Sequence, residues 1–246
     1  MIRKHIDVIY CGSDYNWVGS PYKKFYKDSQ LEFIDRNTIP ISSSDIRREK
    51  YENWDYLPTF VRSTFVKKIL VCGMESTGKS TLTRTLANLF CTNCVKEIGR
   101  DICQQCGSEE AMTPVDFEEI IVKHKSAIID AARLANKLLF IDTDAITTYF
   151  YATFNKYSTN ETFVADLNLI KNIVDKYDLV LFNDTNVPFV DDGLRIENRG
   201  DSRNNLSEYF KKLYNNIKCE KFIILSGTYA ERLEQAKTEI EELIDL

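Results

Sequence analysis

The chain has 246 residues, of which 43% are apolar and 28% charged, and these proportions exclude a disordered or collagen-like protein. It contains 32 Lys plus Arg and 37 Asp plus Glu, so the formal net charge is −5, a poor match for a protein that coats nucleic acid. No run approaches the roughly 18 apolar residues of a membrane span, and the N-terminus lacks the apolar run of an export signal. We therefore expect a cytoplasmic protein with no membrane or nucleic-acid partner, and free thiols for its seven cysteines.

The chain changes character near residue 60. Both tryptophans and three of the five prolines lie before that point, and short apolar runs alternate with amphipathic stretches after it. The apolar runs are continuous, as in strands buried on both faces, and cover residues 69–72, 138–141, 179–182 and 222–225, with a weaker candidate at 94–97. Helices are predicted over residues 80–90, 114–136, 163–176, 201–216 and 229–246. This alternation predicts an α/β fold with a parallel sheet flanked by helices, beginning between Pro58 and Phe65.

The strongest motif is a phosphate-binding loop. Residues 73–80 read Gly-Met-Glu-Ser-Thr-Gly-Lys-Ser and fit G-x-x-x-x-G-K-[ST] between a predicted strand and a predicted helix. The glycines let backbone N–H groups approach a phosphate, Lys79 supplies a charge to the β- and γ-phosphates, and Ser80 can bind Mg²⁺. The predicted ATP-binding residues of this segment are Gly73, Glu75, Ser76, Thr77, Gly78, Lys79, Ser80 and Thr81.

Two carboxylates follow the strand predicted at 138–141. Asp142 and Asp144 stand at positions i and i+2, which on a strand project to the same face, at the edge where open α/β sheets bind ligands. We predict that Asp142 is a metal-binding and catalytic residue and that Asp144 contacts substrate or water. The alternative is a solvated strand end with an aspartate that caps the next helix.

A second charged cluster follows the weak strand. A kinase of small molecules needs a carboxylate near the attacking hydroxyl and a cation near the substrate. Glu97 and Arg100 are predicted to serve these purposes, with Asp101 as a further substrate-binding carboxylate. A surface Glu–Arg pair would have the same spacing.

Three arginines between residues 191 and 203 form a further candidate. Arg195, Arg199 and Arg203 are spaced four residues apart and flanked by glycines. The guanidinium group grips phosphate oxygens in two places, so this stretch is predicted to be a lid over the phosphates. Arg195 is predicted to be catalytic, and both Arg195 and Arg203 are predicted to bind ATP. The alternative is a charged, solvated loop.

Two Cys-x-x-Cys pairs raise the question of a metal site. Cys91 with Cys94 and Cys103 with Cys106 are separated by eight residues, a shorter gap than zinc ribbons have. Four free thiols are the simpler interpretation in a reducing compartment.

These motifs together resemble the NadR-type proteins, nicotinamide-nucleotide adenylyltransferases fused to a ribosylnicotinamide kinase. Residues 64–246 resemble the whole kinase domain, through the phosphate-binding loop and four further motifs. Those motifs are Glu97-x-Gly-Arg-Asp, Phe140-Ile-Asp-Thr-Asp, Asp192-Gly-Leu-Arg with Arg203, and the Ser-Gly-x-Tyr-x-x-Arg pattern at residues 226–232.

Residues 1–63 resemble only the C-terminal part of the adenylyltransferase domain. Residues 41–47, Ile-Ser-Ser-Ser-Asp-Ile-Arg, look like that superfamily's phosphate-binding motif, with Ser44 where threonine is usual. Its His-x-Gly-His motif does not occur in the 246 residues. We therefore expect no adenylyltransferase activity, and we expect residues 1–63 to be a structural extension or a contact for a second copy or a partner chain.

The resemblance implies transfer of the γ-phosphoryl group of ATP, with Mg²⁺, to the 5′-hydroxyl of nicotinamide riboside. It also implies a five-stranded P-loop kinase sheet in the order 2-3-1-4-5. The nicotinamide ring is positively charged, which suits a pocket lined by Glu97, Asp101 and Asp144. A kinase of another nucleoside or nucleotide, and a regulator that binds ATP or NAD without turnover, remain the alternatives.

Overall fold

The computed structural model describes residues 6–38, 40–108, 111–154, 176–187, 202–215 and 219–244. The chain divides into two compact units, Met1–Leu57 and Pro58–Leu246. The larger unit begins at Pro58, the first residue of the interval expected from the sequence and six residues before residue 64. The assignment of residues 1–63 to a partial adenylyltransferase-like domain remains a proposal.

The smaller unit contains a pair of parallel strands. Strands β1 (Val8–Gly12) and β2 (Gln30–Ile34) pair with Val8 opposite Gln30, and helix α1 (Pro21–Phe25) lies between them in the chain. Helix α2 (Ser43–Arg48) follows and begins with a capping box, in which the Asp45 N–H donates to the Ser42 hydroxyl at 3.1 Å. The capping box therefore already uses the first hydroxyl of the serine-rich motif at residues 41–47.

The larger unit alternates strands and helices. Its strands are β3 (Lys67–Gly73), β4 (Cys94–Val95), β5 (Leu138–Asp142), β6 (Tyr177–Asn183) and β7 (Cys219–Leu225). Its helices, numbered over the described residues, are α3 (Thr59–Arg62), α4 (Lys79–Leu89), α5 (Ile98–Cys106), α6 (Pro114–Leu134), α7 (Ala145–Phe154), α8 (Ser202–Asn215) and α9 (Tyr229–Ile244). None of the described helices is both long enough and apolar enough to cross a membrane.

All five strands of the larger unit are parallel. They lie in the order β4-β5-β3-β6-β7, which is the 2-3-1-4-5 order expected for a P-loop kinase. Most residues of the middle strands are buried because helices cover both faces, which explains their continuous apolar sequence. One core cluster joins β3, β5 and β6 to α4 and α9, so the two helices that flank the phosphate-binding loop pack on the same part of the sheet.

Most predicted elements agree with the structure to within a few residues. Helices α3, α5 and α7 of the larger unit were not predicted from the sequence. The sequence of α7, Ala-Ile-Thr-Thr-Tyr-Phe-Tyr-Ala-Thr-Phe, contains no charged residue and shows no amphipathic period. Buried side chains, including Tyr149 and Phe150, explain this composition. The helix predicted at residues 163–176 falls in a stretch of which only residue 176 is described.

Candidate active site

The phosphate-binding loop joins β3 to α4 in a conformation that only its glycines can adopt. Gly73 has φ 134°, and a Cβ there would lie 2.5 Å from the Asn183 carbonyl oxygen. Gly78 has φ 84°, and a Cβ there would lie 2.4 Å from the Tyr229 ring. Both positions therefore require glycine on grounds of backbone angle and of space.

Two side chains of the loop fold back onto its own backbone. The Thr77 hydroxyl donates to the Met74 carbonyl at 2.7 Å, and the Lys79 ammonium donates to the same oxygen at 2.9 Å. Lys79 is 6% exposed and is the first residue of α4. The loop therefore holds a buried ammonium beside the free N–H groups of a helix N-terminus, which is an arrangement suited to an anion.

The outer side of the loop is held by residues far away in the sequence. The Thr77 carbonyl accepts one hydrogen bond from the Asn183 side-chain amide at 3.0 Å and another from the Arg232 guanidinium at 3.1 Å. Asn183 ends β6 and Arg232 lies in the first turn of α9. These two contacts connect the loop to its neighbouring strand and to the last helix.

A cavity of about 440 Å³ opens over the loop and the first turn of α4. Such a volume lies within the range of small-ligand pockets. Residues from the loop, from the β4–α5 segment, from the end of β5 and from the start of α9 surround it. They are Ser76, Thr77, Gly78, Lys79, Ser80, Thr81, Thr83, Arg84, Cys94, Val95, Lys96, Glu97, Arg100, Asp101, Asp142 and Tyr229.

Asp142 is a buried carboxylate on the floor of this cavity. It is 3% exposed, and burial, followed by the negative charge of Glu97, raises its pKa to about 6, against the lowering effect of Lys79. The Ser80 hydroxyl hydrogen-bonds its carboxylate, yet the buried Oδ1 atom has no hydrogen-bond partner among the described residues. A hydroxyl beside a carboxylate with an unsatisfied oxygen, in a field of negative charge, fits the donor set of a Mg²⁺ ion.

The predicted acceptor cluster also reaches the cavity. Glu97 precedes the first residue of α5 with an extended backbone, and Arg100 lies one turn later at 3.7 Å from its carboxylate. Glu97, Arg100 and Asp101 all line the cavity. The structure thus brings these three residues together with Lys79, Ser80 and Asp142.

Asp144, in contrast, is not among the residues that line the cavity. It is 1% exposed and accepts hydrogen bonds from the Tyr214 hydroxyl at 2.5 Å, from the Tyr177 hydroxyl at 3.1 Å and from the Thr147 N–H at 3.1 Å. The chain turns at Thr143, whose φ of 64° interrupts the strand alternation that would have placed Asp144 on the face of Asp142. Asp144 therefore caps α7 inside the core, whereas the alternative interpretation of the sequence combined such a cap with a solvated strand end.

The remaining predicted residues fall into two groups. Gly73 and Glu75 belong to the loop but do not line the cavity. Arg195 lies outside the described residues, and Arg203 lies in α8 with its side chain outside the described part. Sequence reasoning assigned no role to the cavity residue Tyr229 or to the buried Arg232, although both belong to the Ser-Gly-x-Tyr-x-x-Arg pattern.

The paired cysteines do not form a metal centre in the described part of the chain. No group of three or more His, Cys, Asp or Glu side chains gathers there in a way that would hold an ion. Cys94 lines the cavity, and burial raises the pKa of its thiol.

Two curated proteins resemble this chain in sequence. It is 38% identical over 165 residues to the trifunctional NAD biosynthesis/regulator protein NadR of Salmonella typhimurium, and 38% identical over 164 residues to the protein of that name from Escherichia coli. The match covers 65% of this chain, which spans 38% of the length of each curated relative. The resemblance to NadR-type proteins inferred from the sequence is thereby confirmed.

Solved structures agree on the fold. A NadR protein in complex with NR matches 100% of this chain and 71% of its own, with a TM-score of 0.79 at 24% identity. A NadR protein in complex with NAD and AMP-PNP matches 97% of this chain and 67% of its own, with a TM-score of 0.75 at 22% identity. A deoxyadenosine kinase from M. mycoides matches 71% of this chain and 99% of its own, with a TM-score of 0.55 at 13% identity. The α/β P-loop kinase fold is therefore confirmed.

A protein family described as AAA domain matches residues 68–232, from the start of the central strand to the buried arginine of the last helix. This segment contains the phosphate-binding loop and every residue that lines the cavity. Because it also spans more than half of the sequence, the chain belongs to the AAA domain family.

Proposed function

We propose that this chain transfers the γ-phosphoryl group of ATP to the 5′-hydroxyl of nicotinamide riboside, giving nicotinamide mononucleotide. The observation that carries the proposal is the composition of the cavity. The phosphate-binding loop and the carboxylates of Glu97, Asp101 and Asp142 line one cavity, and Ser80 hydrogen-bonds Asp142. A donor phosphate and a hydroxyl acceptor can therefore meet there.

The loop residues would hold the donor. Lys79 would exchange its contact with the Met74 carbonyl for the β- and γ-phosphate oxygens, which adds charge without moving the backbone. Ser80 and Asp142 would hold Mg²⁺, which when bound neutralises phosphate charge. Arg195 and Arg203 are proposed to bind the phosphates from the segment that follows β6.

The β4–α5 segment would hold the acceptor. Glu97 is proposed to orient the attacking hydroxyl and accept its proton, because its carboxylate lines the same cavity as the phosphate-binding loop and Asp142. Arg100 contacts Glu97 and keeps its side chain in place. Asp101 would contribute negative charge toward the positively charged nicotinamide ring, a recognition that a neutral pyrimidine cannot exploit.

The relatives support this substrate choice. Two curated relatives are named for NAD biosynthesis, and one similar solved structure contains NR. Another contains AMP-PNP, an ATP analogue. We propose ATP as donor, Mg²⁺ as metal and the cytoplasm as the compartment, where ATP is abundant and the seven cysteines would stay reduced.

A coupled assay of ADP release across a panel of nucleosides tests the proposal. We expect turnover with nicotinamide riboside and Mg²⁺, and little with uridine, thymidine or adenosine. Turnover with uridine or thymidine but not with nicotinamide riboside would make this chain a kinase of another nucleoside. ATP binding without turnover of any acceptor would favour the regulator that the name of the curated relatives also allows.

A further inference from the structure

Tyr229 follows the edge strand β7 at the start of the last helix, directly against the phosphate-binding loop. It is the first residue of α9, and its ring lies so close to Gly78 that a Cβ there would be 2.4 Å from its Cε1 atom. The tyrosine nevertheless remains 55% exposed and lines the cavity. One part of the ring therefore packs on the loop, and another part faces the space where a ligand would lie.

Arg232 fixes the position of this ring relative to the loop. It lies three residues after Tyr229, is 1% exposed, and donates to the Gly227 carbonyl at 3.0 Å and to the Thr77 carbonyl at 3.1 Å. It also donates to the side-chain oxygen of Asn186. These bonds hold the turn before α9, the first turn of α9 and the loop together, so that the ring is held in place before any ligand binds.

The strand order places Tyr229 and the acceptor cluster at opposite ends of the site. In the order β4-β5-β3-β6-β7, the loop follows the central strand, Glu97 and Arg100 follow the edge strand β4, and Tyr229 follows the other edge strand, β7. A nucleotide whose terminal phosphate faces Glu97 thus extends its base toward β7. An exposed aromatic ring at that end offers a flat apolar surface of the kind on which bases stack.

We propose that Tyr229 is the stacking platform for the heteroaromatic base of the nucleoside triphosphate donor, and that this ring, rather than the phosphate cradle, gives the donor its base-dependent affinity. The proposal rests on the proposed use of ATP. It assigns the two ends of the cavity: the β7 side takes the base of the donor, and the β4 side takes the acceptor.

The test separates the base from the phosphates by using two probes. Binding of ATP and of inorganic tripolyphosphate is measured by calorimetry for the wild type, Tyr229→Phe and Tyr229→Leu. The leucine keeps apolar bulk over Gly78 but removes the aromatic face. We expect Tyr229→Leu to bind ATP roughly ten- to a hundredfold more weakly while binding tripolyphosphate like the wild type, and we expect Tyr229→Phe to bind both normally. Tyr10→Leu, an exposed tyrosine of β1, is the control.

If Tyr229→Leu weakens the binding of ATP and of tripolyphosphate equally, Tyr229 acts only by packing on the loop. If Tyr229→Leu leaves the affinity for ATP unchanged, the ring does not stack on the base. Either result overturns the proposal. A wild-type protein with no greater affinity for ATP than for tripolyphosphate would overturn it as well. None of these measurements needs an acceptor, so failure of the platform is distinct from failure of the proposed kinase reaction, which is read from turnover of nicotinamide riboside.

Discussion

The guanidinium of Arg232 donates a 3.1 Å hydrogen bond to the carbonyl of Thr77, a residue 155 positions earlier in the chain. Thr77 lies in the middle of the phosphate-binding loop, and its carbonyl also accepts from Asn183. A carbonyl that accepts from two donors on different elements is fixed in orientation, and this restrains the backbone of the loop. The distant arginine therefore shapes the cradle without touching what it binds.

Replacing Arg232 should loosen this cradle. We expect Arg232→Met to raise the KM for ATP about tenfold and to lower the free energy of unfolding by about 2 kcal/mol, since a buried hydrogen-bonded charge is lost. Arg232→Lys should recover part of the ATP affinity, because a lysine restores one donor. Arg133→Met, which removes an exposed arginine of α6, serves as the control. An unchanged KM for ATP at a temperature where Arg232→Met is folded would contradict this role.

Lys79→Ala should abolish phosphoryl transfer while preserving the fold. The ammonium hydrogen-bonds a carbonyl of its own loop, so its removal costs one hydrogen bond within the loop, and it also removes a positive charge that lowers the pKa of Asp142. We expect kcat to fall by at least a hundredfold and the melting temperature to change little. Steady-state kinetics and thermal unfolding check both expectations. A variant with wild-type turnover would show that the loop does not bind the reacting phosphates.

Asp142→Asn should lower phosphoryl transfer and raise the free energy of unfolding. The pKa of Asp142 is raised to about 6, so the native state binds more protons than the unfolded state between about pH 4 and 6. The free energy of unfolding therefore falls as the pH rises through this window, by on the order of 2–3 kcal/mol. In EDTA, we expect Asp142→Asn to unfold several degrees above the wild type at pH 8, with a smaller advantage at pH 5.

Asp142 should also determine how Mg²⁺ affects thermal stability. A divalent cation beside Asp142 should offset the charge that burial disfavours, so Mg²⁺ should raise the melting temperature of the wild type but not of Asp142→Asn. The variant should also lose phosphoryl transfer. Equal stabilisation of both proteins by Mg²⁺ would exclude Asp142 as a metal ligand.

Asp144 and Asp101 should behave oppositely when each is changed to asparagine. The Asp144 side chain accepts from two tyrosine hydroxyls and a helix N–H, and an asparagine oxygen can keep most of these bonds. We expect Asp144→Asn to leave the KM for nicotinamide riboside unchanged, and Asp144→Ala to lower the free energy of unfolding by about 3 kcal/mol. Asp101→Asn should raise that KM severalfold with normal stability. A raised KM for nicotinamide riboside in a stably folded Asp144→Asn would show that Asp144 contributes to substrate binding.

The sequence by itself determined the features that depend on neighbouring residues. The phosphate-binding loop is one continuous segment, so its glycines, lysine and serine reveal it without any tertiary contact. Strands buried on both faces appear as continuous apolar runs, and Asp142 is found because it directly follows one of them. The strand order came from the resemblance to a known family, since residue patterns do not specify which strands are neighbours.

Tertiary structure alone decided where side chains with equally suggestive spacing point. Asp144 shares the strand spacing of Asp142, yet the positive φ of Thr143 ends the alternation and turns Asp144 into the core. Arg232 and Tyr229 reach the loop because parallel strands bring distant segments to one edge of the sheet. Alternation predicts a shared face only while the backbone stays extended, and a contact between residues 155 positions apart exists only after the sheet has formed.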